Sequence, residues 1–268
     1  MKNSFSFTRL WQLIIKQGME NVRFYLLYTA ASLGITGLLI GFWLTIKSRN
    51  DYYEEHFYSY ALLALFLCGT LFANLQFEPL SGKARGIAWL SFPASHLEKF
   101  LCALFYTVIV FNGLFLIGAT VIKWLLVFCI THGIPEGGRW LPMPPFMESE
   151  EFYFIYLFIA VQAFYLLGSV WFARFSFVKT TVLLVVLVVL GVYYIYYINE
   201  RVFGFGSYHW SINDDIIVLK STRIGEIMFE KAYKPAPWLT ETVFWLMQYG
   251  WAPVFWIITW KRLAEKEI

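Results

Sequence analysis

The chain has 268 residues, of which 59% are hydrophobic and 15% charged, whereas a soluble domain is roughly 45–50% apolar and about 25% charged. Its formal net charge of +3 is too small for a nucleic-acid binding surface, so no nucleic-acid partner is expected. With 27 Phe, 17 Tyr and 12 Trp, the chain has far more apolar surface than a disordered one. The composition therefore indicates a protein that crosses a membrane several times.

Residues 1–23 are predicted to form an amphipathic elbow helix at the membrane surface. Between residues 5 and 22 the apolar side chains recur at helical spacing, and charged side chains take the opposite face. The apolar face would enter the headgroup boundary while the cations meet anionic lipid. The residues predicted at the membrane interface are Arg9, Trp11 and Lys16. A cytoplasmic helix docked on the bundle is the alternative.

Six apolar stretches are long enough to cross the membrane, because a helix needs about 20 such residues to span about 30 Å of hydrocarbon. They lack the alternation of barrel strands, and lipid offers the backbone no hydrogen-bond partner, so each is predicted to be helical. The expected fold is an all-α integral membrane protein with six transmembrane helices in residues 24–268. The predicted spans are about 24–46, 58–77, 100–122, 152–173, 178–198 and 240–260.

The basic residues predict that both termini are cytoplasmic. With that orientation, twelve of the 21 Lys and Arg lie in inner segments, and the outer connection 131–151 holds a single Arg beside four Glu. The inner set is Lys2, Arg9, Lys16, Arg23, Lys83, Arg85, Lys99, Arg174, Lys179, Lys261, Arg262 and Lys266. The outer set is Lys47, Arg49, Lys123, Arg139, Arg201, Lys220, Arg223, Lys231 and Lys234.

Small and polar residues inside the spans mark places where helices meet. Gly37 and Gly41 form a Gly-x-x-x-Gly pattern, which predicts close packing inside the bundle in preference to a subunit interface. Asn112, Gln162 and Gln248 lie at membrane depth, where polar groups favour the bundle interior or a cavity. These three are candidates for a substrate path. The spans carry no carboxylate at mid-depth, which argues against a proton-coupled carrier built on Asp or Glu.

The segment 78–99 between the second and third spans is longer than a simple turn requires. Pro79 and Gly82 end the second span, and Ser95 with Glu98 forms the sequence pattern of a capping box that begins the third. Between these points lie residues suited to bind a partner, two cations and two aromatic anchors. They are Lys83, Arg85, Trp89 and Phe92. A mere turn is the alternative.

The loop 199–238 is predicted to be a small outer cap. It contains a weakly amphipathic stretch in which Ile224, Ile227 and Met228 share a face. Asp214 and Asp215 lack the spacing of a calcium loop, and no cysteine or histidine pattern predicts a metal site. Since no nucleophile, metalloprotease or phosphate-loop motif is found, we expect no catalytic activity and no cofactor in this chain.

The stretch Trp89-Leu-Ser-Phe-Pro-Ala-Ser-His-Leu-Glu-Lys99 is similar to the Leu-Pro-x-Ser-x-x-Glu-Lys-like stretch of permease subunits of type-2 ATP-binding-cassette transporters, with Phe92 in place of Leu. The architecture of elbow helix, six spans, cytoplasmic segment and outer loop resembles that exporter-like family over nearly the whole length. The resemblance implies that residues 79–94 contain a coupling helix, which binds a separate ATPase subunit carrying ATP and Mg²⁺. It also implies pairing with a second permease subunit in a bacterial cytoplasmic membrane.

The resemblance does not identify a substrate, because one architecture moves lipids, polysaccharides, peptides and drugs. The apolar spans favour a lipid, a lipid-linked compound or a hydrophobic peptide. Two other classes stay open. One is a membrane scaffold that transports nothing, and the other is a membrane-embedded enzyme using the compact titratable group of His96, Glu98 and Lys99.

The predicted topology is testable by cysteine labelling. In a cysteine-free background, a cysteine near Gly138 or Ser207 should react with an impermeant thiol reagent in whole cells, since the charge bias places both outside. A cysteine near Gly86 should react only after the cells are opened. Labelling at Gly86 in intact cells would contradict both the orientation and the coupling assignment.

Overall fold

A computed structural model describes residues 5–46, 51–78, 94–132, 138–142, 148–172, 174–203, 208–210, 216–224, 227–233, 238, 242 and 245–266. They belong to two compact units, one formed by Met1–Phe177 and Ala252–Ile268 and the other by Val178–Trp251. In the described ranges, five helices are long and apolar enough to cross a membrane. The chain is a helical multi-pass membrane protein.

Helix α1 runs from Phe7 to Ile46 without a break. The predicted elbow helix and the predicted first span are therefore one helix of 40 residues, about 60 Å long at 1.5 Å per residue. The sequence offers no reason for a break at 23–24, because neither Gly nor Pro occurs there. About half of this length suffices to cross the hydrocarbon.

The next three helices also belong to the first unit. Helix α2 spans Glu54–Leu75, and helix α3 spans His96–Thr131 with a π-helical stretch at Phe105–Phe111. Helix α4 covers Glu148–Trp171. Helices α2 and α4 cover their predicted spans 58–77 and 152–173 except for the last two residues of each. Helix α3 is about 13 residues longer than the predicted 100–122, because it begins at the cap and continues to Thr131.

Aromatic rings fill the interior between α1, α2, α3 and α4. Phe72 stacks on Phe111 with ring centres 4.7 Å apart, and Tyr25 stacks on Tyr106 at 4.8 Å. Phe158 of α4 is 2% exposed and packs edge-on against Phe66. Offset and edge-on pairs of this kind add about 0.5–1.5 kcal/mol each beyond the area they bury. The chain's high aromatic content is thus used in the bundle core.

A second cluster closes the other end of these helices. Strand β1 (Asp51–Tyr53) pairs in parallel with β2 (Arg139–Leu141), and Tyr52 is buried against Trp43 of α1. Lys123 forms an ion pair with Glu54 and donates a 2.8 Å hydrogen bond to the Tyr58 hydroxyl. The charge of Lys123, at the end of the predicted third span, is therefore neutralised inside the chain.

The second unit contains helix α5, Ser176–Phe203, of which residues from Val178 onward belong to it. A three-stranded antiparallel sheet follows, with β3 (Tyr208–Trp210), β4 (Ile216–Ile224) and β5 (Ile227–Tyr233) in that order. The helical face expected around Ile224, Ile227 and Met228 is wrong, because these residues lie in strands β4 and β5, which pair antiparallel. The two strands are rich in β-branched and aromatic residues.

The sixth predicted span, 240–260, is helical over the part described continuously. A π-helical stretch, Leu246–Gly250, leads into helix α6, Trp251–Lys266. Helix α6 returns the chain to the first unit. Its buried residues Thr259 and Leu263 lie one turn apart, which is the spacing of a helix that packs on one face only.

The glycines of α1 do not pack where the sequence suggested. A Cβ atom placed on Gly34, Gly37 or Gly41 would meet no atom within 4 Å in the described chain, so the predicted packing inside the bundle is wrong. On the opposite face, Ser32 and Thr36 are almost fully buried. Close helix approach occurs instead at Gly69, where a Cβ would lie 2.5 Å from the Phe158 ring.

This difference predicts unequal effects of two alanine substitutions. Gly69→Ala should destabilise the bundle by about 1–3 kcal/mol, because the Phe158 ring is held between neighbours and cannot yield freely. Gly37→Ala should be neutral or stabilising by up to about 1 kcal/mol, since only helix propensity changes. Unfolding of the purified protein in detergent measures both. Equal melting temperatures for the two variants would contradict the packing described.

Candidate functional site

The predicted capping box at the start of α3 is confirmed. The Glu98 amide donates to Ser95 Oγ at 3.2 Å, and the Ser95 amide donates to Glu98 Oε2 at 2.8 Å. Ser95 is the N-cap residue, and its extended backbone lets the helix begin at His96. Helix α3 therefore begins at the capping box that the sequence predicted.

Glu98 also holds the beginning of α1, which the sequence did not predict. Its Oε1 atom accepts from the Ser6 amide at 2.8 Å and lies 3.3 Å from Arg9 Nη2. The Glu98 side chain is 0% exposed, whereas that of Arg9 is 44% exposed. Two amides and a guanidinium thus satisfy a buried carboxylate, which would otherwise be very costly. We call Ser6, Arg9, Ser95 and Glu98 the Glu98 junction.

Further along both helices from the Glu98 junction, polar side chains keep α1 and α3 in contact. The Tyr106 hydroxyl donates to the Ile14 carbonyl at 2.6 Å, and Cys102 Sγ lies 3.1 Å from Gln17 Oε1. Gly18 permits this approach, because a Cβ there would lie 2.6 Å from the Tyr106 hydroxyl. The amino-terminal half of α1 is therefore docked along the beginning of α3.

Docking divides the predicted apolar face of residues 5–22 into two. Leu10, Leu13 and Ile14 pack against the bundle core, as the alternative interpretation of a docked helix required. A second stripe on α1 is exposed, and it consists of Phe7, Trp11, Ile15, Met19 and Val22. Successive members are three or four residues apart, so they share one helix face.

The three predicted interface residues lie on this half of α1. Trp11 is 52% exposed, and Lys16 is 46% exposed and lies 3.7 Å from Glu20 one turn later. Arg9 differs, because its guanidinium is engaged by Glu98. Location of the exposed stripe at a lipid surface stays a prediction, in which Trp11 is a member of the stripe and Lys16 is a cation beside it.

Two of the three predicted path residues meet in the bundle interior. Gln162 of α4 is 1% exposed, and its amide pairs with that of Asn112 at 3.4 and 3.5 Å. Gln162 Nε2 also donates to the Thr107 carbonyl at 3.2 Å. Thr107 belongs to the π-helical stretch of α3, a geometry that often marks functional sites. Gln248 lies in the second unit, inside the other π-helical stretch.

The residues predicted to bind a partner lie outside the described part of the chain. They are Lys83, Arg85, Trp89 and Phe92. The described structure resumes at residue 94, directly before the Glu98 junction. Ser95 and Glu98 of that junction are therefore described residues within the predicted coupling segment 78–99.

Among the residues described, no group of three His, Cys, Asp or Glu side chains is placed to hold a metal ion. No family model, no curated protein and no solved structure matches this chain. The family resemblance accordingly rests on the residues of the sequence.

The Glu98 junction predicts a large difference between two neighbouring alanine variants. Ser95→Ala should cost about 1 kcal/mol of folding free energy, the value of a helix cap. Glu98→Ala should cost about 3 kcal/mol, because it also leaves the Ser6 amide and Arg9 without their acceptor. Denaturant titration in mixed micelles measures both.

The matched control is Glu55→Ala, which also removes a carboxylate from the first turn of a helix but at an exposed position. It should change the unfolding free energy by less than about 0.5 kcal/mol. If Glu98→Ala is no more damaging than Ser95→Ala, Glu98 acts only as a cap and the contact with α1 contributes nothing.

Proposed function

We propose that the chain is the transmembrane permease subunit of an ATP-binding-cassette transporter in a bacterial cytoplasmic membrane. It would move a substrate with a substantial hydrophobic part, such as a lipid, a lipid-linked compound or a peptide. A separate ATPase subunit would bind ATP and Mg²⁺ and supply the energy. A second permease subunit, identical or related, would complete the path.

The observation that carries the proposal is the Glu98 junction. A subunit driven by an external ATPase must pass movement from a cytoplasmic contact into its membrane helices. The segment 78–99 leads into α3, whose N-cap is Ser95. The Glu98 carboxylate, in the first turn of α3, binds Ser6 and Arg9 at the beginning of α1. Displacement of this segment would therefore act on two membrane helices at once, through short and charge-assisted hydrogen bonds.

The interior of the bundle supports an apolar rather than an ionic substrate. Asn112 and Gln162 hydrogen-bond to each other, and Gln162 also donates to the Thr107 carbonyl. Both side chains are uncharged amides, so this interior pair offers no charge to a substrate. Such a surface has few groups that could replace the hydrogen bonds between water and a small ion or a free sugar. The apolar part of an amphipathic substrate needs no such replacement.

Surfaces that a second subunit could cover lie on α1 of the first unit and on α5 of the second. The Gly37 and Gly41 face of α1 meets no other part of the described chain. Most apolar side chains of α5 between Val178 and Tyr197 are exposed. A paired subunit can cover such surfaces with close helix contacts, which glycine permits, and lipid would cover the remainder.

The geometry disfavours an embedded enzyme built on Glu98. Both of its oxygens accept hydrogen bonds from the chain itself, and its side chain is fully buried. A general acid or base needs access to a substrate proton. A scaffold that transports nothing is distinguished from a permease by the partner, since only a permease needs an ATPase that contains a phosphate-binding loop.

The proposal predicts that Trp89→Ala combined with Phe92→Ala uncouples the transporter. Aromatic anchors in a partner's cleft often contribute about 2 kcal/mol or more each, so the double variant should insert and fold but retain the ATPase poorly. Co-purification from membranes measures retention, and ATP hydrolysis with and without transport measures coupling. Lys83→Gln with Arg85→Gln should mainly change the salt dependence of binding.

Ser95→Ala serves as the control, because loss of a cap lowers the amount of folded subunit without releasing the partner selectively. If the aromatic double variant retains its ATPase and transports like the wild type, segment 78–99 is only a turn. If no ATPase co-purifies with the unaltered chain, the scaffold function replaces the proposal.

A further inference from the structure

A cationic and aromatic cluster lies where α6 ends beside the end of α4. The guanidinium carbon of Arg262 lies 4.7 Å from the centre of the Trp171 ring, within the range of a cation–π contact. Trp171 is the last residue of α4 and is 51% exposed. The ring thus packs against the guanidinium, and its exposed part leaves the cluster open to its surroundings.

Hydrogen bonding leaves part of Arg262 unsatisfied. Its Nη1 atom binds Glu265 one turn later, but its Nε atom is buried and has no acceptor within the described chain. Guanidinium carries five N–H donors in a rigid fork. An unmade hydrogen bond at a buried donor is costly, so an acceptor that entered beside Nε from outside the chain would supply the hydrogen bond that this donor lacks.

The surrounding charge is positive. From Lys261 to Lys266, α6 carries three cations and one carboxylate, Glu265, and a second carboxylate, Glu267, follows in the sequence. Burial lowers the pKa of Lys266, and the nearby positive charge of Arg262 lowers it further. The two cations therefore repel each other, and an anion placed between them would relieve that repulsion.

Phe175, four residues after Trp171 in the sequence, indicates what surrounds the cluster. Phe175 has a left-handed backbone, with φ of 53°, and its side chain is 79% exposed. For a bulky residue this backbone conformation is strained, and such strain is typical of functional positions. Exposed aromatic rings beside basic residues at the ends of membrane helices are typical of the bilayer interface, which favours a lipid over a soluble anion.

We infer that Trp171, Arg262 and Lys266 form a binding site for the phosphate of an anionic phospholipid in the leaflet that contains the end of α6. The guanidinium fork would bind phosphate oxygens in two places, and Lys266 would add a point charge. Trp171 and Phe175 would contact the glycerol and the first methylene groups. The site does not depend on the proposed transport function.

Native mass spectrometry of the full chain in detergent tests the site. Titration with phosphatidylglycerol and with phosphatidylcholine gives apparent dissociation constants for an anionic and a zwitterionic lipid. The wild type should bind phosphatidylglycerol more tightly. Arg262→Gln should weaken that binding by about fivefold or more, since one cation near anionic lipid contributes about that factor before any specific hydrogen bond.

The matched control is Lys261→Gln, which removes the same charge one residue away from an exposed side chain. It should change the dissociation constant by less than about twofold, because the site depends on the contact with Trp171 and not on total charge. Arg262→Lys keeps the charge without the planar fork and should also weaken binding. Trp171→Ala should weaken it while leaving every charge in place.

Two outcomes would overturn the site. Equal losses for Arg262→Gln and Lys261→Gln would show that only diffuse charge attracts the lipid. Wild-type affinity in Arg262→Lys or Trp171→Ala would exclude the stacked fork. Millimolar glycerol phosphate serves as a further competitor, because displacement of the lipid by this soluble anion would assign the site to a free phosphate ester. Melting temperatures in phosphatidylcholine confirm that each variant is folded.

Discussion

Lipid cannot hydrogen-bond to the chain, and this constraint governs where polar groups lie. On α1 the buried hydroxyls bond to the carbonyls of their own helix, as Thr29 does to Tyr25 and Thr36 to Ser32. Gln162 and Asn112 satisfy each other across two helices. These polar groups therefore either bond to a carbonyl of their own helix or join one helix to another. The second kind determines how the bundle is assembled.

Glu98 is the strongest case of a group that joins helices. A buried carboxylate is tolerated only when several donors surround it. The beginning of α3 supplies only one of them, the Ser95 amide. The remaining donors come from Ser6 and Arg9. Ser6 lies 92 residues before Glu98 in the sequence. Docking of the amino-terminal half of α1 is thus tied to the same residue that begins α3. Glu98 therefore takes part in both the cap of α3 and the contact with α1.

Local sequence patterns predicted the local features well. The apolar runs, the helix start at Ser95 and the interior position of Gln162 all follow from the solvent and from spacing within one helix. Features that depend on distant partners were not predicted. The contacts of α1 with Glu98 and Tyr106 need the tertiary fold, and the hairpin around Ile224 required weighing β-branched content above a weak helical period.

The π-helical stretch gives the buried amide pair a further consequence. Every residue added to a helical turn rotates the side chains before it by about 100° relative to those after it. Tyr106 and Thr107 lie inside this stretch and bind α1 and α4 respectively. Conversion of Phe105–Phe111 to regular α-helix would therefore rotate Tyr106 and Thr107 relative to Asn112, and the hydrogen bonds that α3 makes with Ile14 and Gln162 could not all persist. Contacts with α1 on one side of the stretch and with α4 on both sides thus favour the π-helical geometry over a regular helix.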